Sequence, residues 1–165
     1  MVKPLSIAGQ VVLYAAFAAF IGYFASAPRY EHLAPDRAMI KLSLSHFGER
    51  ECHRRTPAQL QKLPPNMRAP LECSRERSPL AIEVELDGQT VYRDRIQPTG
   101  IARDGVAAVY RRFEVGAGAH RLAVRMNDNA RLPGFNHVRE GTIELKPAQI
   151  AVIDFNPDRG GLYFR

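Results

Sequence analysis

The chain has no tryptophan, only two cysteines and only four lysines among its 23 positive charges, and the first two shortages each remove a class of function. Without tryptophan it lacks the side chain that stacks best on sugars and quaternary amines. It has no Gly-x-Ser-x-Gly elbow, no Walker loop, no His-Glu-x-x-His and no dinucleotide fingerprint, so the common catalytic templates fail. The cysteines form neither Cys-x-x-Cys nor Cys-x-Cys, and no His-x₃-His occurs, so the strong metal spacings are absent. No cofactor is expected, and nothing selects a small molecule. The formal net charge is +6, carried almost wholly by arginine. Those arginines alternate with acids, as in Glu49-Arg50-Glu51 and Arg75-Glu76-Arg77, and no aromatic residues interleave with them. That is a solvated mixed-charge surface and not a nucleic-acid platform. Its basic balance suits acidic lipid headgroups or an acidic partner protein.

What the chain does have is a long apolar run. Leu5 to Ala27 contains no charged residue. A hydrocarbon core about 30 Å thick needs about 20 such residues as a helix. The competing reading is a secretory signal, since Ala25-Ser26-Ala27 has the small-x-small form of a cleavage site. Pro28 directly after it disfavours cleavage, and the run is long for a signal h-region. The expectation is therefore a single transmembrane anchor over 1–27 and a juxtamembrane linker over 28–36. Lys3 and the α-amino group precede the run, and Arg29 and Arg37 follow it, so charge counting does not fix orientation. We take the N-terminus as cytoplasmic, which places residues 37–165 in the periplasm of a bacterial inner-membrane protein. Ala15, Ala18, Ala19, Gly22 and Ser26 make overlapping small-xxx-small spacings, which let helices approach closely in lipid. Gln10 adds an amide that favours a partner within the bilayer.

The compartment bears on Cys52 and Cys73. Outside the cytoplasm a disulfide is the default. The loop between them holds Pro57, Pro64, Pro65 and Pro70, and a short helix signal with Thr56 as N-cap and Pro57 at its first position. The alternative is a copper or zinc site made from His46, Cys52, His53 and Cys73, a soft sulfur and imidazole set.

The remainder reads as strands. Ile40 to His46 alternates with period 2, as do Leu80 to Leu86 and His120 to Asn127. Asp87-Gly88 between two such runs marks a hairpin, because a type I′ turn needs positive φ at both central residues. Val91 to Ile96 is polar on one side and reads as an edge strand. Val109, Phe113 and Val115 share a face, and Ile143 and Leu145 are core candidates. Ile150 to Phe155 begins apolar on both faces, as a central strand does. Asp154 within it needs a partner, for which an arginine is available. His120, on the face of Leu122, reads as a hydrogen-bonded structural residue. Asn127 to Gly134 reads as a polar loop, Asp158 to Gly161 as a turn, and Leu162 to Phe164 as a final short strand. The expected fold is all-β: an antiparallel, immunoglobulin-like β-sandwich of about eight strands over 37–165, with a cysteine-bracketed insertion at 47–77.

The stretch Phe113-Glu-Val-Gly-Ala-Gly-Ala-His-Arg-Leu-Ala-Val-Arg resembles the strand–turn–strand of PEGA-type and other immunoglobulin-like or transthyretin-like extracytoplasmic domains. The resemblance covers about two strands. It implies a sandwich and no catalytic residue, and the cysteine-bracketed insertion has no counterpart in it. The plan of one anchor and one small extracytoplasmic domain is also similar to that of accessory proteins of bacterial respiratory oxidases. The function expected is non-catalytic: binding an integral membrane protein or complex at the lipid bilayer, to assemble or stabilise it. The second expectation is copper delivery to a respiratory oxidase through Cys52, His53 and Cys73.

Overall fold

The computed structural model describes residues 4–27 and 33–165, in two compact units, Met1–Ala34 and Pro35–Arg165. Most of the linker expected at 28–36, with Pro28, Arg29 and His32, lies outside the described residues. The first unit contains one helix, α1 (Pro4–Ser26). Its Ser6–Ser26 segment is long and apolar enough to cross a membrane, at about 1.5 Å of rise per residue. A secretory signal sequence near an N-terminus also meets this criterion of length and hydropathy.

The second unit is mostly β. Its strands are β1 (Arg37–His46), β2 (Arg50–Arg54), β3 (Leu71–Arg77), β4 (Leu80–Leu86), β5 (Gln89–Ile96), β6 (Ala107–Gly116), β7 (Gly118–Asn127), β8 (His137–Leu145), β9 (Ile150–Asn156) and β10 (Gly161–Phe164). They form two four-stranded sheets, β10-β9-β1-β6 and β5-β4-β7-β8, and a separate ribbon, β2-β3. Period 2 decides what is buried. Ile40, Leu42 and Leu44 of β1 face the same apolar cluster as Leu80, Ile82 and Val84 of β4, Leu122, Val124 and Met126 of β7, and Ile153 and Phe155 of β9. Both sheets thus contribute to one core.

Most of the expected strands form where the alternation puts them, and β5 is an edge strand. Asp87 and Gly88 both have positive φ, 51° and 82°, as the hairpin requires. Two features differ from expectation. Pairing is not wholly antiparallel: β1 and β9 run parallel, Met39 opposite Ile150 through Leu42 opposite Ile153. Apolar alternation fixes which face a strand buries but carries no information on strand direction, so the sequence pattern could not reveal this pair. The insertion also has strand structure of its own. Cys52 and Cys73 lie directly opposite each other in the β2-β3 ribbon. Between them Thr56 caps the short helix α2 (Pro57–Gln61) in a reciprocal capping box with Gln59, as the Thr-Pro start implied.

Candidate functional site

One end of the β unit gathers the loops, and the ribbon is rooted there. At this end β1 passes into β2, β3 into β4, and β7 into β8. Gly48 approaches the β3–β4 connection so closely that a Cβ on it would sit 1.9 Å from the Ser78 carbonyl oxygen. The Glu49 amide donates to the Asp128 carbonyl and the Ser78 amide to the Glu49 carbonyl, each at 2.8 Å. Arg77 anchors the base of the ribbon. Its guanidinium donates to the Gly48 and Asp104 carbonyls and lies over the Phe47 ring, 4.4 Å from the centroid.

Beneath this junction sits a cluster that sequence reading missed. His46 Nε2 lies 2.9 Å from Asp128 Oδ2, and His137 Nε2 lies 3.2 Å from the same oxygen. Asn136 Nδ2 donates to Asp128 Oδ1 at 2.6 Å. The two imidazoles pack on the Phe155 ring, with centroids 4.4 and 4.9 Å away. Burial pushes the Asp128 carboxyl up, but the bonds from His46, Asn136 and His137 outweigh it and hold the group well below the ordinary carboxylate range. Asn127 shapes the adjoining loop, donating to the Leu132 and Gly134 carbonyls and accepting from the Asn129 amide. The Asn-Asp-Asn run has turn composition and on its own implies a loop. What it lacked was the partner 82 residues away, His46. The chemical capacity of the cluster is spent internally, on closing this end of the core.

A second histidine–carboxylate contact lies at the β4–β5 turn. His120 Nδ1 is 2.7 Å from Asp87 Oδ2, and His120 Nε2 is 3.0 Å from the Gly116 carbonyl. Two acceptors facing two ring nitrogens favour the imidazolium, and they raise the His120 pKa, Asp87 foremost. The expectation of a hydrogen-bonded structural histidine is met. The charged form is the one stabilised by folding. Its contribution is therefore full below the ordinary histidine value of about 6.5 and is lost as pH rises through the raised value. In His120→Gln this part of the decline in stability above pH about 6.5 is expected to vanish, measured by urea unfolding at a series of pH values.

Cys52 and Cys73 form a disulfide, with Cα atoms 4.0 Å apart. The alternative metal set is not assembled. Both sulfurs are bonded to each other, His46 is on Asp128, and His53 lies 3.5 Å from Glu51. No group of three or more His, Cys, Asp or Glu among the described residues is arranged to hold a metal ion. A disulfide leaves no thiolate, which is the form that binds copper or zinc.

In α1, residues Ala15, Ala18, Ala19, Gly22 and Ser26 fall within an arc of about 100° at 3.6 residues per turn. Phe17, Phe20 and Phe24 lie on the other side, Phe20 and Phe24 with ring centroids 4.7 Å apart. Gln10 falls on that aromatic side and not on the small-residue stripe. The Ser26 hydroxyl donates to the Gly22 carbonyl at 2.8 Å, so its polarity is satisfied within the helix.

Several other charged groups form ion-pair networks. Buried Glu83 accepts from Arg93 and Arg125, and its pKa is lowered chiefly by the Arg93 bond. Arg125 also bonds Glu85 and Glu140. Asp154 has the partner it needed: Tyr163 donates to it at 2.9 Å and Arg165 lies 3.5 Å away.

These features define a mostly β protein with an N-terminal apolar helix of membrane-spanning length and one disulfide-closed ribbon. Comparison with known proteins finds no matching family model, no matching curated protein and no matching solved structure.

Proposed function

We propose that the protein is a non-catalytic, single-pass membrane protein of the bacterial inner membrane. Its periplasmic β-sandwich binds an integral membrane protein or complex and helps assemble or stabilise it. The observation that carries this reading is the Cys52–Cys73 disulfide in a chain that also has an apolar helix of spanning length. Disulfides persist in oxidising compartments, so the β unit belongs on the extracytoplasmic side of the anchor. The shared core of the two sheets supports a sandwich. Strand order departs from the immunoglobulin plan in one respect. An immunoglobulin domain keeps its first, second, fifth and fourth strands in one sheet. Here β1 and β4, the first two strands outside the β2-β3 ribbon, are in different sheets.

The titratable groups of the β unit that cluster are used structurally. His46, His120 and His137 each hold a carboxylate or carbonyl in place, and Asp128 and Asp154 are fully engaged. The small-residue side of α1 is the docking face within the bilayer, where close packing drives helix association. A photo-crosslinking side chain at Ala18 or Gly22 is expected to trap a membrane protein, and one at Phe17 or Phe20 is not. Gly22→Leu is expected to abolish the Ala18 crosslink. Equal crosslinking from both sides, or none from either, contradicts the docking role.

A further inference from the structure

The β2-β3 ribbon buries nothing in the core: no residue from Arg50 to Glu76 is buried, and α2 has no buried residue. A segment that adds no core contact is nevertheless tightly organised. The disulfide joins its strands. The Arg55 amide donates to the Pro70 carbonyl at 3.0 Å, and the Arg55 guanidinium reaches Glu72 and the Ala69 carbonyl. Arg68 donates to the Leu63 carbonyl at 3.0 Å. Order of this kind lowers the entropy lost when a surface binds.

The ribbon also concentrates charge. Residues 50–77 hold seven Arg or Lys and three Glu, a net of +4 out of the formal +6 of the whole chain. Strand alternation sorts these charges. In β3, Leu71, Cys73 and Arg75 point to one side with Cys52 and Arg54 of β2. Glu72, Ser74 and Glu76 point to the other with His53. Arg50, Arg54, Lys62 and Arg68 are exposed and have no carboxylate within ion-pair distance among the described residues.

We propose that this ribbon is a docking surface for an acidic protein segment, through Arg54, Leu71, Lys62 and Arg68, whereas Arg75 on the Arg54 side is already paired with Asp104 at 3.2 Å. Two observations favour a protein over an anionic bilayer. Six of the seven cations are arginine, whose planar fork matches carboxylates in pairs and which is enriched in protein interfaces, where lysine is depleted. Exposed Leu71 and Met67 offer isolated apolar contacts beside the cations.

This inference rests on the binding role above and names its surface. The test uses the purified full chain in a non-ionic detergent and a fluorescein-labelled deca-glutamate peptide, read by anisotropy. Binding is expected, and it weakens as salt rises, since screening shortens electrostatic reach. The triple variant R54E/K62E/R68E is expected to bind at least about tenfold more weakly. R111E/R139E, which changes exposed arginines on β6 and β8, is expected to alter binding less than about twofold. Wild-type binding no tighter than that of the triple variant overturns the proposal. So does equal loss in the control variant. Ribbon-dependent sedimentation with phosphatidylglycerol vesicles, without peptide binding, overturns it in favour of lipid. The crosslinks from α1 do not depend on the ribbon, so failure of the peptide assay and failure of membrane docking are read separately.

Discussion

Asp128→Ala is expected to lower the unfolding free energy by about 3 kcal/mol, the largest effect of any single polar substitution in the β unit. The carboxylate is nearly out of solvent, with its side chain 7% exposed. It is the common acceptor for His46, His137 and Asn136. Removing it leaves half-buried His46 and His137, beside Phe155, and exposed Asn136 without their common acceptor, and a hydrogen bond to a charged group contributes about 1.5–3 kcal/mol, part of which water recovers at these accessible donors. Asp128→Asn keeps the shape and one acceptor and is expected to lose about half as much. Urea unfolding of the full chain, followed by tyrosine fluorescence, measures both. The same site sets an acid limit. The Asp128 pKa is depressed by folding, so its contribution is present above the ordinary carboxylate value of about 3.9 and is lost as pH falls through the lower, folded value. The alanine variant is expected to lack that acid slope.

Loss of the disulfide is the second large effect. A cross-link closing a loop of separation 21 stabilises by about 3 kcal/mol in the chain-entropy treatment. Because the ribbon buries no core residue, that energy is felt locally. In C52A/C73A the ribbon is expected to open while both sheets stay folded. Trypsin cleavage at Arg54, Arg55, Lys62 and Arg68 is expected to rise about a hundredfold, the factor that corresponds to about 3 kcal/mol. Cleavage spreading equally into β4 or β7 would contradict a locally anchored ribbon.

The elements visible in the sequence were those whose pattern is local. Alternation in Leu80–Leu86 and His120–Asn127, the Asp87-Gly88 turn, and the Thr56-Pro57 helix start depend on neighbours a few residues apart. The Cys52–Cys73 disulfide was legible because composition and compartment leave a pair of cysteines few other uses. The parallel β1–β9 pair was not legible, since it joins distant segments and direction leaves no trace in apolar periodicity. The Asp128 cluster was hidden for the same reason. Its ligands are spread from His46 to His137, and Asp128 itself sits among asparagines that read as solvent-exposed turn. The segregation of charge on the ribbon was obscured in turn. Arg75-Glu76-Arg77 looks mixed along the chain, but alternation sends Arg75 and Glu76 to opposite faces.

The proposed role depends on the side of the membrane on which the disulfide-closed β unit resides. Protease treatment of spheroplasts of a Gram-negative bacterium expressing the full chain tests this most directly, with thiols blocked before lysis. The account predicts a membrane-bound chain cleaved without breaking the inner membrane, yielding fragments joined by the Cys52–Cys73 bond. A chain that is protected until the membrane is lysed, with Cys52 and Cys73 both captured as free thiols, would contradict it.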